Sequence, residues 1–170
     1  MPILEIKNCF DPVLRKKCKR IENIDDSLVK LSEDMIETMF ESCGAGLAAN
    51  QVGVSSGLFV VDLGIQEKAP EPIVVINPVI TLSEEKELGE EGCLSIPEIF
   101  AEVNRANQVE VKGYDLDGNE VRYEAEGYMA RAFQHEMDHL NGVLFWDMLG
   151  KVKRDILKRK FKKKLKEIEA

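Results

Sequence analysis

Histidine occurs only twice in these 170 residues, at His135 and His139. A site built from three imidazoles is therefore excluded. No apolar run approaches the ~20 residues needed to cross a bilayer, so no membrane partner is expected. The opening Met1-Pro2-Ile3-Leu4-Glu5 lacks a basic stretch followed by an apolar core. That argues against a secretory leader and makes the cytoplasm the default compartment. The four cysteines, Cys9, Cys18, Cys43 and Cys93, contain no Cys-x-x-Cys pair. Irregular spacing in a reducing compartment predicts thiols, not bridges. A Gly-x-x-x-x-Gly-Lys phosphate loop is missing, as is a dinucleotide fingerprint opening a helix after a strand. There is no internal repeat and no low-complexity linker.

The chain that remains is 44% hydrophobic and 32% charged, long enough for one domain with its own core. Its charge is lopsided. Residues 151–170 hold ten Lys and Arg against Asp155, Glu167 and Glu169, a surplus of +7 that leaves −15 on residues 1–150 from a total of −8. The division predicts a body over 1–150 and a basic helix over 151–170 within the same domain. Such a tail either meets an anionic partner, nucleic acid foremost, or forms a solvated face.

Asp25-Asp26-Ser27 reads as a helix start, with Leu28, Leu31, Met35 and Met39 at helical spacing to about Ser42. Gly44-Ala45-Gly46 is expected to end that helix. Residues 57–63 and 73–76 are β-branched runs bounded by Gly or Pro and read as strands. Residues 109–115 and 120–126 alternate around Asp117-Gly118, a hairpin signal. Gly127 leads into a helix. The last segment is helical again, its stripe formed by Val152, Ile156, Leu157, Phe161, Leu165 and Ile168. Helices and strands mix without a βαβ rhythm. The fold class is therefore α+β, with mostly antiparallel sheets around a central metal-binding helix and a C-terminal helix.

That central helix carries His135-Glu136-Met137-Asp138-His139. Imidazoles four residues apart share one helical face and can bind one ion, while the adjoining carboxylate handles the proton of an activated water. A catalytic ion needs a third protein ligand and an open position. With no further histidine, the third ligand is a carboxylate or a cysteine. Cys93, in Glu90-Glu91-Gly92-Cys93-Leu94-Ser95-Ile96-Pro97, suits a borderline-soft transition ion, but a buried structural cysteine reads equally well. The stretch from Gly44 to Gly53 is too poor in bulk for an ordinary core strand and lets a backbone, a substrate or another segment approach closely. Within it only Asn50 and Gln51 can donate a side-chain hydrogen bond.

Three segments, Gly44-Ala45-Gly46-Leu47-Ala48-Ala49-Asn50-Gln51, Glu91-Gly92-Cys93-Leu94-Ser95 and Gln134-His135-Glu136-Met137-Asp138-His139, resemble the signature motifs of the peptide deformylases in order and approximate spacing. Asp11-Pro12-Val13-Leu14-Arg15 and Asn141-Gly142-Val143-Leu144-Phe145 are also similar to that family. The resemblance implies a hydrolase that removes the formyl group from the initiator methionine of nascent chains. It makes Cys93, His135 and His139 the metal ligands and Glu136 the general acid and base. Gln51 and the Leu94 backbone N–H would stabilise the oxyanion. The ion implied is ferrous iron, with zinc or nickel as substitutes. Ala45, Gly46 and Gly92 would pair with the extended peptide, and Tyr128 and Ala132 would wall the methionine pocket, with Arg131 covering it by its stem. Asp138 would pair with Arg105. A monomer is implied, and a ribosome-docking role for the tail.

Two departures stand out. Cys9-Phe10 replaces an aromatic residue followed by proline, in what is expected to be a terminal strand. Phe100 falls where some bacterial members carry a substrate-contacting arginine. Two other readings fit the metal helix: a zinc peptidase, which shares His-Glu-x-x-His, and a non-catalytic ribosome- or nucleic-acid-binding module with a structural metal.

Overall fold

A computed structural model describes residues 3–65, 67 and 69–169. Helix α1 (Asp26–Glu41) begins where the Asp25 carboxylate accepts the Leu28 N–H at 2.9 Å, and it buries Leu28, Met35 and Met39. Its end differs from the expected glycine stop. Cys43 adopts the left-handed conformation (φ 58°), while Cys43 N–H donates to Phe40 and Gly44 N–H to Met39. This double bond satisfies the last carbonyls in the manner of a Schellman cap, with cysteine where glycine is usual.

Five strands then form one antiparallel sheet in the order β1-β2-β3-β6-β7: β1 (Gly46–Ala48), β2 (Leu58–Asp62), β3 (Pro72–Leu82), β6 (Gln108–Tyr114) and β7 (Glu120–Glu126). The small-residue stretch thus contributes a short edge strand. The hairpin expected around Asp117-Gly118 is present, with Val111 opposite Tyr123. A second sheet of two strands, β4 (Lys86–Cys93) and β5 (Ile96–Ala106), has no counterpart in the sequence reading. Its first strand, Lys-Glu-Leu-Gly-Glu-Glu-Gly-Cys, carries too few apolar residues to show alternation.

Helix α2 (Gly127–Leu140) lies at the centre, touching β1, β2, β3, β5, β6 and β7. Phe133 and Leu140 join Phe59, Val75 and Val111 in one core on the sheet. A second core, under α1, gathers Met35, Met39, Leu47, Leu58 and Ile76. The third lies beneath β4–β5 and holds Ile96, Ile99, Val103, Phe145, Trp146 and Phe161. The α+β class and its central helix are as the sequence reading expected.

Helix α3 (Lys151–Glu169) differs from the expected stripe. Phe161 is fully buried and Leu157 and Leu165 pack beside it, whereas Val152, Ile156 and Ile168 face solvent. The Cys9-Phe10 pair also lies outside any strand. Cys9 is buried in that third core, and the Phe10 ring sits 5.8 Å from Phe161 with the Lys162 ammonium over it at 5.6 Å. The N-terminal segment therefore clamps the tail helix. Emptying this junction by Phe161→Ala should cost about 3–5 kcal/mol in urea unfolding; a loss below 1 kcal/mol would show that α3 does not support the core.

Candidate metal centre

The β4–β5 hairpin and helix α2 bring the chemistry together from opposite walls of one cleft. Cys93 ends β4, just before the Leu94-Ser95 turn. His135 and His139 stand one turn apart on α2. Cys93 Sγ lies 3.3 Å from His139 Nε2, which lies 3.1 Å from His135 Nε2, and the three ligand atoms fall within 4.8 Å of one another. Two imidazole nitrogens this close require a shared proton or a shared cation. Around a tetrahedral ion with ordinary bond lengths, neighbouring nitrogen and sulfur ligands sit about 3.3–3.6 Å apart. The donor set therefore fits one divalent cation with little rearrangement. Sulfur and nitrogen ligands suit zinc, iron or nickel and exclude magnesium or calcium.

Each ligand is held from behind. His135 Nδ1 meets Glu91 Oε2 at 2.7 Å, which leaves Nε2 directed toward the other ligands. Glu91 in turn accepts from Arg105 at 3.0 and 2.8 Å and from Arg131 at 3.2 Å. Arg105 also donates to Asp138, as the sequence reading expected, so one buried guanidinium ties β4 to α2. The Arg131 stem lines the cleft while its guanidinium donates to the carbonyls of Val103 and Glu87. Asn50 Nδ2 donates to the His139 carbonyl at 2.6 Å, and Gln134 spans the backbone N–H and C=O of Ala106 at 3.0 and 2.8 Å. For Glu91 and Gln134 the sequence carried no signal beyond membership of the three motifs, and Asn50, a candidate donor in the small-residue stretch, spends its amide on the helix backbone at His139.

Burial opposes charge on Glu91, but hydrogen bonds from His135 and Arg105 outweigh it and hold the carboxyl at about 2. Burial drives His139 well below the ordinary histidine range, helped by charge on His135. A neutral imidazole is the form that ligates. Glu136 behaves in the opposite way to Glu91. Burial pushes it up to about 7, and its Oε2 is buried without a hydrogen-bond partner. This is the protonation range of a carboxyl that takes and returns protons near neutrality.

Except for His139, which is fully buried, every catalytic, substrate-binding and metal-ligand residue expected from sequence lines one cleft of about 450 Å³, and the supporting pair Arg105 and Asp138 lies outside it. Ala45 and Gly46 border it on the β1 side, Gly92 and Leu94 on the hairpin side, and Tyr128, Ala132 and Glu136 along α2. A Cβ on Gly46 would lie 2.8 Å from Glu136 Cγ and 3.1 Å from the Val60 carbonyl. Only glycine lets β1 pass this close to the acid. Gln51 accepts the Ala48 N–H at 3.0 Å and donates to Ser95 Oγ at 3.1 Å, with its Nε2 3.7 Å from Cys93 Sγ. Its amide is thus fixed beside the ligands.

A His-Glu-x-x-His helix completed by a cysteine from a separate hairpin defines a mononuclear metallohydrolase centre. Comparison with known proteins makes the class specific. Residues 3–155 match the family model described as polypeptide deformylase, and the chain belongs to that family. It is 53% identical to a peptide deformylase of Syntrophobacter fumaroxidans over the full length of both chains. Another relative, from Thermodesulfovibrio yellowstonii, is 49% identical and covers 96% of this chain and 99% of its own. Among solved structures, a Legionella pneumophila peptide deformylase superposes with a TM-score of 0.91 at 43% identity, covering 99% of this chain and 98% of that one. An Ehrlichia chaffeensis peptide deformylase in complex with actinonin gives 0.91 at 40% identity, covering 96% and 98%.

The Glu136 environment has a measurable consequence in metal-free protein. Its pKa rises from 4.5 to about 7 on folding. The folded state therefore keeps its proton where the unfolded chain has lost it, and stability falls as pH rises from 4.5 through 7. Glu136→Gln should remove this dependence. With chelator present, the variant should gain on the parent by on the order of 3 kcal/mol between pH 4.5 and 8. Parallel pH profiles in urea unfolding would contradict this.

Proposed function

We propose that this protein is a metal-dependent hydrolase that removes the N-formyl group from the initiator methionine of nascent polypeptides, releasing formate. The observation that carries the reading is the convergence of Cys93, His135 and His139 beside the unpartnered carboxyl of Glu136, in a cleft open along a strand edge. A divalent cation held by those three ligands, ferrous iron with zinc or nickel as substitutes, supplies Lewis acidity toward water and the formyl oxygen.

The chain's own residues do the rest. Glu136 takes the proton from the water that attacks the formyl carbon and delivers it to the departing amine nitrogen. The Gln51 side-chain amide and the Leu94 backbone N–H donate to the oxygen that gains charge. The free edges of β1 and β4 border the cleft, so Ala45, Gly46 and Gly92 pair with an extended peptide by strand addition. The methionine side chain lies against Tyr128 and Ala132. A peptidase reading lacks a distal glutamate or histidine ligand: among the described residues Cys93, His135 and His139 form the only such ligand group. A structural-metal reading leaves Glu136 without a task, and structural zinc sites are closed by four ligands.

Glu136→Gln should keep its metal yet lose roughly 10²- to 10⁴-fold in formate release from formyl-Met peptides. Full activity in that variant would remove Glu136 as the proton carrier, and cleavage of unformylated peptides would favour the peptidase.

Residues 1–150 form the catalytic body in this reading, and α3 brings the enzyme to the ribosome, working as a monomer in the cytoplasm. Lys160, Lys163 and Lys166 lie on the exposed side of the helix, away from buried Phe161. Truncation would uncover the Phe161 core, so charge reversal is the cleaner test. Glutamate at all three positions should weaken co-sedimentation with ribosomes and flatten its salt dependence. Unchanged binding would rule out docking by this face.

A further inference from the structure

Residues 15–20 read Arg-Lys-Lys-Cys-Lys-Arg, five cations in six positions of an otherwise acidic body. The proposed chemistry uses none of them. Cys18 packs against the sheet core, while Lys16, Lys17, Lys19 and Arg20 are exposed. The backbone beneath them forms a fixed strap. Cys18 N–H donates to the Leu140 carbonyl at 2.8 Å, Lys19 N–H to the Ser55 carbonyl at 3.0 Å, and Gly57 N–H to the Lys19 carbonyl at 2.8 Å. Arg15 is spent on Asp147, at 2.6 and 3.2 Å. The other four cations pair with no carboxylate among the described residues.

This arrangement serves neither ion pairing nor solubility. The chain holds 31 Asp and Glu, yet the fold brings none of the described ones to these four side chains. Unpaired positive charge on a protein of net charge −8 moves it toward neutrality, the direction that lowers solubility. The row also continues onto α3. Burial raises the Asp147 carboxyl, but hydrogen bonds from Arg15 and the Leu144 N–H, with the charges of Arg15 and Lys158, hold it below the ordinary carboxylate range. Arg15 and Lys158 therefore flank one group. Lys162, one turn further along α3, stands over the Phe10 ring at 5.6 Å. Strap and helix meet in one basic surface, and none of its residues lines the cleft.

We propose that residues 16–20 form a binding surface for the phosphate backbone of RNA, reaching onto α3 at Lys158 and Lys162. Alternate residues of an extended chain lie roughly 6–7 Å apart, which is on the order of the spacing between successive phosphates of a strand. Because main-chain bonds fix the strap, Lys17 and Lys19 hold that spacing without an added ordering cost. A lipid surface would also take up apolar side chains beside the cations. Between residues 11 and 25 no large apolar side chain is exposed. The surface is separate from the docking face at Lys160, Lys163 and Lys166.

The test is fluorescence anisotropy of a labelled uridine oligonucleotide titrated with the metal-loaded full chain over a range of salt. The parent should bind it despite a net charge of −8. Lys16→Gln, Lys17→Gln, Lys19→Gln and Arg20→Gln combined should weaken binding roughly tenfold or more near about 0.1 M salt and lower the salt slope by about 3, since each phosphate contact on a single strand contributes about 0.7. Arginine in place of the three lysines should preserve binding. Circular dichroism melts establish that each variant is folded. A parent that leaves the oligonucleotide free, or a folded glutamine variant that binds like the parent, overturns the inference. Tighter binding of the parent to phosphatidylglycerol vesicles than to RNA overturns it in favour of a membrane. The readout contains neither peptide nor ribosome, so its failure leaves the deformylase and docking readings untouched.

Discussion

One buried carboxylate holds the site together. Glu91 is ionised inside the protein because two guanidinium groups and an imidazole surround it, and it touches all the parts that must stay in register. Through Arg105 it binds β4 to β5 and reaches Asp138 on α2. Through His135 it sets the ring that faces the other ligands. A buried ionic cluster of this kind adds little net stability over an apolar replacement, since desolvation offsets the attraction. Losing one partner leaves a buried charge unpaired, however, and that is costly. The cluster therefore specifies an arrangement more than it strengthens the fold. It places a cysteine from a separate hairpin within ligand distance of the histidines on α2.

Close packing is the second constraint. Gly46 brings the β1 edge against Glu136, and Gly92 leaves room for Phe100. In both cases the missing side chain makes room for another residue. The burial that results also raises the Glu136 pKa, because a carboxylate cut off from water prefers its neutral form. Exclusion of water pushes both carboxyls up, but at Glu91 the surrounding cations outweigh it and keep the group ionised, whereas Glu136 rises to about 7. Glu91 has cations beside it; the Oε2 of Glu136 has no hydrogen-bond partner.

The tail shows how one helix divides its labour. Phe161, with Leu157 and Leu165, closes the core behind the β4–β5 hairpin, and Phe10 covers the junction from outside. The remaining circumference carries lysines and arginines on a body that is otherwise acidic. A charged surface steers partners without dictating fold. The inner face packs the tail against the hairpin that bears Cys93, and Lys164 adds an ion pair to Glu98 of the same hairpin.

Local order was legible in the sequence. The span of α1, the β6–β7 hairpin and the histidine pair on α2 follow from periodicity, turn residues and a spacing of four, which any chain segment reports by itself. The three motifs also identified which residues would meet. The sequence by itself did not determine that Glu91 becomes a buried partner of His135, that Cys43 ends α1, or that Phe100 turns toward the cleft while Val152 and Ile156 stay in water. Those outcomes depend on contacts between residues far apart in the chain, such as Glu91 with Arg105 and Arg131, or Phe161 with Phe10. Burial and charge compensation belong to the assembled structure, so only the tertiary fold decided them.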